Sequence, residues 1–348
     1  MLKLKDLKEI KNHILSSENP LFFYDADCDG CCSFLLAYKA AGKGNGVFVK
    51  GSPILDINYL NKIEEFSPDK IFVFDKPLIS QEFIDKAKIP IVWVDHHSYI
   101  DRNSVFYYNP MRYKNPKKMS TTYWIYKSVG GPIWIAALGC VADYHIPDFI
   151  AKFEKEYPDL WSKNIKDPGD ALFKTQLGYM VKLIGFLFKD KTKKVKENIQ
   201  LLQQIKSPYE ILKGNSVNGS VLLKRALEIE KKYNKILQQA LKEKSKKGLL
   251  VFTYIDNKHS LTKELSNELL YYNPKKVIIV ARFKDDEVVM SLRSRTRPIL
   301  PVLNKILLQF ENAYCGGHEL ACGATVKKED YIDFIKKFQS YLGKNYYK

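Results

Sequence analysis

The chain has 348 residues, 45% of them hydrophobic, which allows a sizeable core and two domains. No apolar run reaches the roughly 18 residues a bilayer span needs, and Met1-Leu2-Lys3-Leu4-Lys5-Asp6 has no apolar signal region, so a cytoplasmic protein away from the membrane is expected. Lysine and arginine number 56 against 39 acidic residues, and the resulting charge of +17 favours a polyanionic partner, nucleic acid or nucleotide first, with an anionic membrane surface or a thermophile-type composition as alternatives.

The first strong element is Phe22-Phe23-Tyr24-Asp25-Ala26-Asp27-Cys28-Asp29-Gly30, an apolar strand running into alternating carboxylates and a glycine. Such a cluster repels itself unless a cation holds it, and oxygen ligands on one short loop suit Mg2+ or Mn2+. An acidic turn capping the next helix is the plainer reading. Cys31 to Ala41 then reads as a helix closed by Gly42, and Val47-Phe48-Val49 as a strand. A helix from about Asp56 to Phe66 precedes the buried strand Lys70 to Phe74, which ends at Asp75. Phe83 to Lys88 is a short helix, and Ile91-Val92-Trp93-Val94 is another apolar strand, finishing in Asp95-His96-His97.

Helical patterns alternating with fully apolar strands predict a parallel sheet covered on both faces, whose ligands bind beyond the carboxyl ends of the strands. Three strands deliver Asp25, Asp27, Asp29, then Asp75, then Asp95, His96 and His97 to that edge. A short strand near Val105 to Tyr108 leads to the Asn109-Pro110 turn, and Ser120-Thr121-Thr122 opens a helix. Ile135 to Asp143 is a helix of small and apolar residues ending in a carboxylate that needs a partner, which a metal would supply.

The six cysteines, Cys28, Cys31, Cys32, Cys140, Cys315 and Cys322, form no paired zinc knuckle, and most are expected to be reduced and buried. From Asp148 to about Lys213 the pattern is helical, with a basic run from Lys189 to Lys196 that reads either as a solvated face or as one tracking a phosphate backbone. Ser220 to Lys247 reads as one long amphipathic connector ending at Gly248. Strands at Leu249 to Tyr254, Lys276 to Ala281 and Glu287 to Leu292, with helices between and after, make a second α/β unit. Arg293, Arg295 and Arg297 alternate beyond its third strand and could present guanidinium groups to phosphates.

Asp27-x-Asp29-Gly30, Asp75, Asp95-His96-His97 and Ala137-Leu138-Gly139-Cys140-Val141-Ala142-Asp143 resemble the four N-terminal motifs of the DHH phosphoesterase superfamily. Ser291-Leu292-Arg293-Ser294 and Gly316-Gly317-His318-Glu319-Leu320-Ala321-Cys322-Gly323 resemble the signatures of its DHHA1 substrate domain, and archaeal RecJ-like nucleases are the nearest likeness. The resemblance implies an α/β chain with a parallel-sheet DHH domain and helical extension over 1–215, a connector helix over 216–247 and a smaller DHHA1 domain over 248–348.

It further implies two divalent cations, Mn2+ ahead of Mg2+: Asp25 and Asp27 on the first, Asp29, His96 and Asp143 on the second, and Asp75 bridging. Asp95 would orient an imidazole, His97 would face the substrate, and Arg293, Ser294, Gly316, Gly317 and His318 would bind it. The implied activity is exonucleolytic hydrolysis of single-stranded DNA or RNA to mononucleotides. Action on short oligoribonucleotides or 3′-phosphoadenosine compounds is a second enzymatic reading. One departure is plain: Asp25 stands where the family usually has histidine. It keeps a third reading in play, a replication or repair scaffold that binds single strands and a helicase-type partner without cutting.

Overall fold

The computed structural model describes residues 1–345 apart from 52, 118 and 247, and side chains up to 342. Two compact units emerge: Met1–Phe188 with Val195–Lys224, and Lys189–Lys194 with Arg225–Lys348.

The first unit begins with α1 (Leu4–Ser16), β1 (Pro20–Asp25), α2 (Cys28–Ala41), β2 (Asn45–Val49) and β3 (Ile54–Leu55). It continues through α3 (Leu60–Phe66), β4 (Lys70–Phe74), β5 (Leu78–Ile79), α4 (Gln81–Ala87), β6 (Ile91–Val94) and β7 (Phe106–Tyr108). Helices follow: α5 (Thr121–Val129), α6 (Ile133–Ala142), α7 (Ile150–Glu156), α8 (Pro168–Lys174), α9 (Gln176–Leu187), α10 (Thr192–Gln204) and α11 (Pro208–Lys213). The last, α12 (Val217–Ala240), runs on into the second unit. It stops short of the expected connector end, and Lys247 lies outside the described residues.

The main sheet has the order β2-β1-β4-β6-β7, and every pairing in it is parallel. The central strands β1, β4 and β6 are apolar almost throughout because both of their faces are covered. Leu21, Phe23, Val73 and Trp93 pack with Phe83 and Ile84 of α4 in one core cluster. On the alternate positions Phe22 stacks on Phe72, and Tyr24 lies parallel to Phe34 of α2 with ring centroids 4.6 Å apart. Burying each such ring is worth roughly 1.5–3 kcal/mol. The chain leaves β1 for β2 on one side and returns through β4 on the other, so the crevice at the carboxyl ends of β1 and β4 is the switch point where ligands of such sheets bind.

Two glycines let helices close on that edge. A Cβ on Gly30 would lie 2.5 Å from the Asp25 carbonyl oxygen, so the first turn of α2 folds directly against the end of β1. A Cβ on Gly139 would lie 2.3 Å from Thr122 Oγ1 and 2.8 Å from Cys32 Cβ, where α6 meets α5 and α2.

The second unit contains β8 (Leu249–Ile255), α13 (Thr262–Tyr272), β9 (Val277–Lys284), β10 (Glu287–Arg293), α14 (Leu300–Leu307), β11 (Tyr314–His318), β12 (Ala321–Lys327) and α15 (Tyr331–Asn345). Its sheet runs β11-β12-β10-β9-β8, with only the β8–β9 pair parallel. The sequence reading lacked the β11–β12 hairpin, whose glycines and small residues carry weak strand propensity.

Candidate metal centre

Three of the acidic motifs begin at the end of a strand. Asp25 closes β1, Asp75 follows β4 and Asp95 follows β6, and the Asp75 and Asp95 amides continue the ladder to the carbonyls of Val94 and Tyr108. Asp75 has a left-handed backbone, φ 57°, unusual for a residue with a Cβ and a form of strain that collects at functional sites. Asp143 ends α6.

These residues converge. His96 lies between two carboxylates, with Nε2 3.2 Å from Asp75 Oδ1 and Nδ1 3.4 Å from Asp143 Oδ2. Asp29, His96 and Asp143 each offer a ligand atom within 4.8 Å of the others, and so do Asp75, His96 and His97. Asp29 is buried and accepts the backbone N–H groups of Thr121 and Thr122, each at 2.8 Å, so it anchors the start of α5 as well. Thr121 Oγ1 donates to Asp75 at 3.3 Å.

Asp25 and Asp27 are placed differently. Asp25 Oδ1 accepts from Lys76 Nζ at 2.6 Å, and the Lys76 side chain is fully buried. Asp27 is the N-cap of α2 and accepts the Gly30 N–H at 3.1 Å. Neither belongs to the groups of closely spaced ligand atoms found among the described residues.

Asp95 faces His97. Its Oδ1 is 2.7 Å from His97 Nδ1, and its Oδ2 accepts from the His97 backbone, Asn109 Nδ2 and Tyr107 OH. The imidazole that Asp95 orients is therefore that of His97.

Electrostatics follow from this crowding. Burial pushes the Asp29 carboxyl up to about 7, with the charges of Asp143 and Asp27 adding to the rise and His96 opposing it. Burial also holds Asp75 well above the carboxylate range, reinforced by Asp29, Asp27 and Asp25. For His96, burial is the largest influence and lowers its pKa, but Asp143, Asp29, Asp95 and Asp27 together outweigh it and raise the group above its ordinary value. His97 is raised the same way, by Asp95 and Asp75 against its burial.

In the second unit, Arg293 donates from Nε to Asn267 Oδ1 at 2.7 Å and from Nη1 to the carbonyls of Leu292 and Cys322. Ser294 is buried, and its hydroxyl accepts the backbone N–H groups of Thr296 and Arg297. Gly316, Gly317 and His318 lie on the exposed strand β11, and Gly317 has φ 127° where a Cβ would lie 2.4 Å from the Ala321 carbonyl oxygen. In the basic run, Lys189 pairs with Glu264 and Lys194 with Asp190.

No family model and no curated protein sequence matches the chain. Solved structures do. RecJ from Thermus thermophilus, in complex with Mn2+, aligns over 99% of this chain with TM-score 0.68 and 12% identity, and this chain spans only 55% of that one. Exonuclease RecJ bound to manganese aligns over 98% of this chain and 95% of its own, with TM-score 0.61 and 14% identity. CDC45 from Entamoeba histolytica aligns over 97% and 99%, with TM-score 0.56 and 10% identity.

The chain has the RecJ fold. Its two units, a five-stranded parallel sheet followed by a five-stranded mixed sheet, have the α/β architecture expected of that fold. Within this RecJ fold, Asp29, His96 and Asp143 form one donor set and Asp75, His96 and His97 another, joined at His96, and carboxylate oxygens with imidazole nitrogens are ligands that a divalent ion fits. The burial of Asp29 and Asp75 beside other carboxylates supports the fit, because a bound cation offsets both the desolvation that chiefly pushes these groups up and the neighbouring negative charge that adds to it.

Lys76 and the paired amides of Thr121 and Thr122 escaped the sequence reading. Backbone donors leave no residue signature. Lys76 stands directly after the acid that follows a buried strand, a position that does not by itself say which way its side chain turns.

Proposed function

We propose that the chain is a metal-dependent phosphoesterase that cleaves phosphodiester bonds of single-stranded DNA or RNA and releases mononucleotides. The observation that carries this reading is the gathering of Asp29, Asp75, His96 and Asp143, from four separate segments, beyond the carboxyl edge of the parallel sheet. The fold and the +17 charge support it, since a polymeric anion gains most from an extended basic surface.

In this reading Asp29, Asp75, His96 and Asp143 hold a divalent cation, Mn2+ or Mg2+. When bound, the ion polarises the phosphoryl group and lowers the pKa of water. His97 handles the proton at the leaving oxygen. Asp95 fixes its Nδ1, so the exchange falls to Nε2. Arg293 and the Gly316-Gly317-His318 strand are the phosphate-binding elements of the second unit.

The Asp25–Lys76 pair and the likeness to CDC45 favour one alternative, a scaffold that binds single strands and a helicase-type partner without turnover. Initial rates on a long single strand, a dinucleotide and a 3′,5′-bisphosphate, each with Mg2+ and with Mn2+, separate the readings. A nuclease degrades the long strand fastest, and that rate falls steeply with salt. Preference for either small substrate replaces the exonuclease by an enzyme of short substrates. No hydrolysis, with single-strand binding retained, makes the scaffold the better account.

A further inference from the structure

The disagreement between the first acidic motif and a pair of metal ions lies in Lys76. This side chain is fully buried, follows directly on Asp75, and donates to Asp25 Oδ1 at 2.6 Å. Its position is built rather than adventitious. The Lys76 carbonyl accepts the indole N–H of the buried Trp93 at 2.9 Å, and the preceding residue turns through a left-handed conformation. Both features pin the bend after β4 that turns the lysine inward.

A divalent ion on the Asp25 carboxylate would sit about 2.0–2.6 Å from an oxygen. The ammonium, itself shut off from solvent, would then be only a few ångströms from the ion, and the two like charges would repel. The charge balance points the same way. Carboxylate in place of the expected imidazole adds one negative charge, and a buried lysine adds one positive charge beside it.

We propose that Lys76 is a resident cation that takes the place of one metal ion, so that the protein binds a single divalent ion, on the Asp29, Asp75, His96 and Asp143 side of the centre. Lys76 is a positioning residue: it has no exposed surface and acts through Asp25. The inference rests on reading the centre as a metal site.

The test uses the full chain, stripped with chelator and titrated with MnCl2. Calorimetry gives the stoichiometry, and electron paramagnetic resonance distinguishes an isolated Mn2+ ion from a spin-coupled pair. One ion per chain with the six-line spectrum of isolated Mn2+ is expected. Asp143→Asn should weaken that ion at least tenfold. Asp25→Asn/Lys76→Met, which removes both charges of the pair together, should leave its affinity within about threefold, and Asp25→His/Lys76→Ala should admit a second, coupled ion.

Two ions with a coupled spectrum in the unaltered protein overturn this inference and leave the phosphoesterase reading standing. A tenfold loss of the single ion in the folded Asp25→Asn/Lys76→Met variant also overturns it, since the ion would then sit on the Asp25 side. No bound ion overturns both. Because stoichiometry and spectrum are read on the unaltered chain, a variant that fails to fold does not rescue the proposal.

Discussion

Asp95 grips His97 twice, with Oδ1 2.7 Å from the ring Nδ1 and Oδ2 accepting the backbone N–H at 3.0 Å. Tyr107 and Asn109 hold the same carboxylate, so the grip is rigid and the ring orientation is set before substrate arrives.

Asp95→Asn keeps the shape of this contact and removes its charge. Catalysis should fall by about 10²–10⁴-fold, the range for losing a positioned acid or base. Asp95 also helps raise His97 against its burial. If His97 acts as the acid, the unaltered protein loses activity as pH climbs through that raised value, and in Asp95→Asn the alkaline limb moves to lower pH. A pH–rate profile of the two proteins decides this, and coincident alkaline limbs exclude His97 as the acid.

Metal-free stability should fall as pH rises. Asp29 titrates at about 7 in the folded chain against 3.8 ordinarily, so the folded state binds more protons over that window and stability declines from about pH 4 to pH 7. His96 is also raised, and its favourable contribution is complete below about 6.5 and lost as pH passes its higher folded value. The two slopes share a sign. A divalent ion that needs these groups deprotonated should therefore raise Tm more at pH 8 than at pH 5.5. Equal increments in thermal scans with and without Mn2+ would remove this account of the centre.

The parallel sheet was legible because β1, β4 and β6 are apolar on both faces, which amphipathic surface strands are not. The same logic exposed the site, since a carboxylate directly after a buried strand falls on the ligand-binding edge. What stayed hidden depends on contacts distant in sequence. Nothing local says that Lys76 turns inward to Asp25, or that the amides of Thr121 and Thr122 cap Asp29 from 92 and 93 residues away. The amphipathic helix α1 carries its signal in the spacing of Ile10 and Ile14, buried four residues apart, and bears none of the acidic motifs.

Asp29 and Asp143 should part company under mutation, although both line the centre. Asp29→Ala strands two buried N–H donors at the start of α5, and each costs about 1–3 kcal/mol. Asp143 is 41% exposed at a helix end, so Asp143→Ala should change stability by less than about 1 kcal/mol. Both should weaken Mn2+ binding. Denaturant unfolding of the metal-free variants checks the contrast, and equal stabilities would mean that the cap on α5 contributes little.

Arg293 offers a way to separate substrate binding from metal chemistry. Its Nε is fixed on Asn267 and its Nη1 on the carbonyls of Leu292, near the end of β10, and Cys322 of β12, which sets the plane of the guanidinium. Lysine brings the charge without the planar fork, so Arg293→Lys is not a neutral exchange. With a phosphate-binding role, KM for a single strand should rise by about tenfold, and removing the charge in Arg293→Ala should reduce the salt slope of binding by about 1. Mn2+ affinity should stay unchanged in both variants. A purely structural role would instead lower Tm while KM and salt slope hold, so kinetics across a salt series, paired with thermal unfolding, distinguish the two.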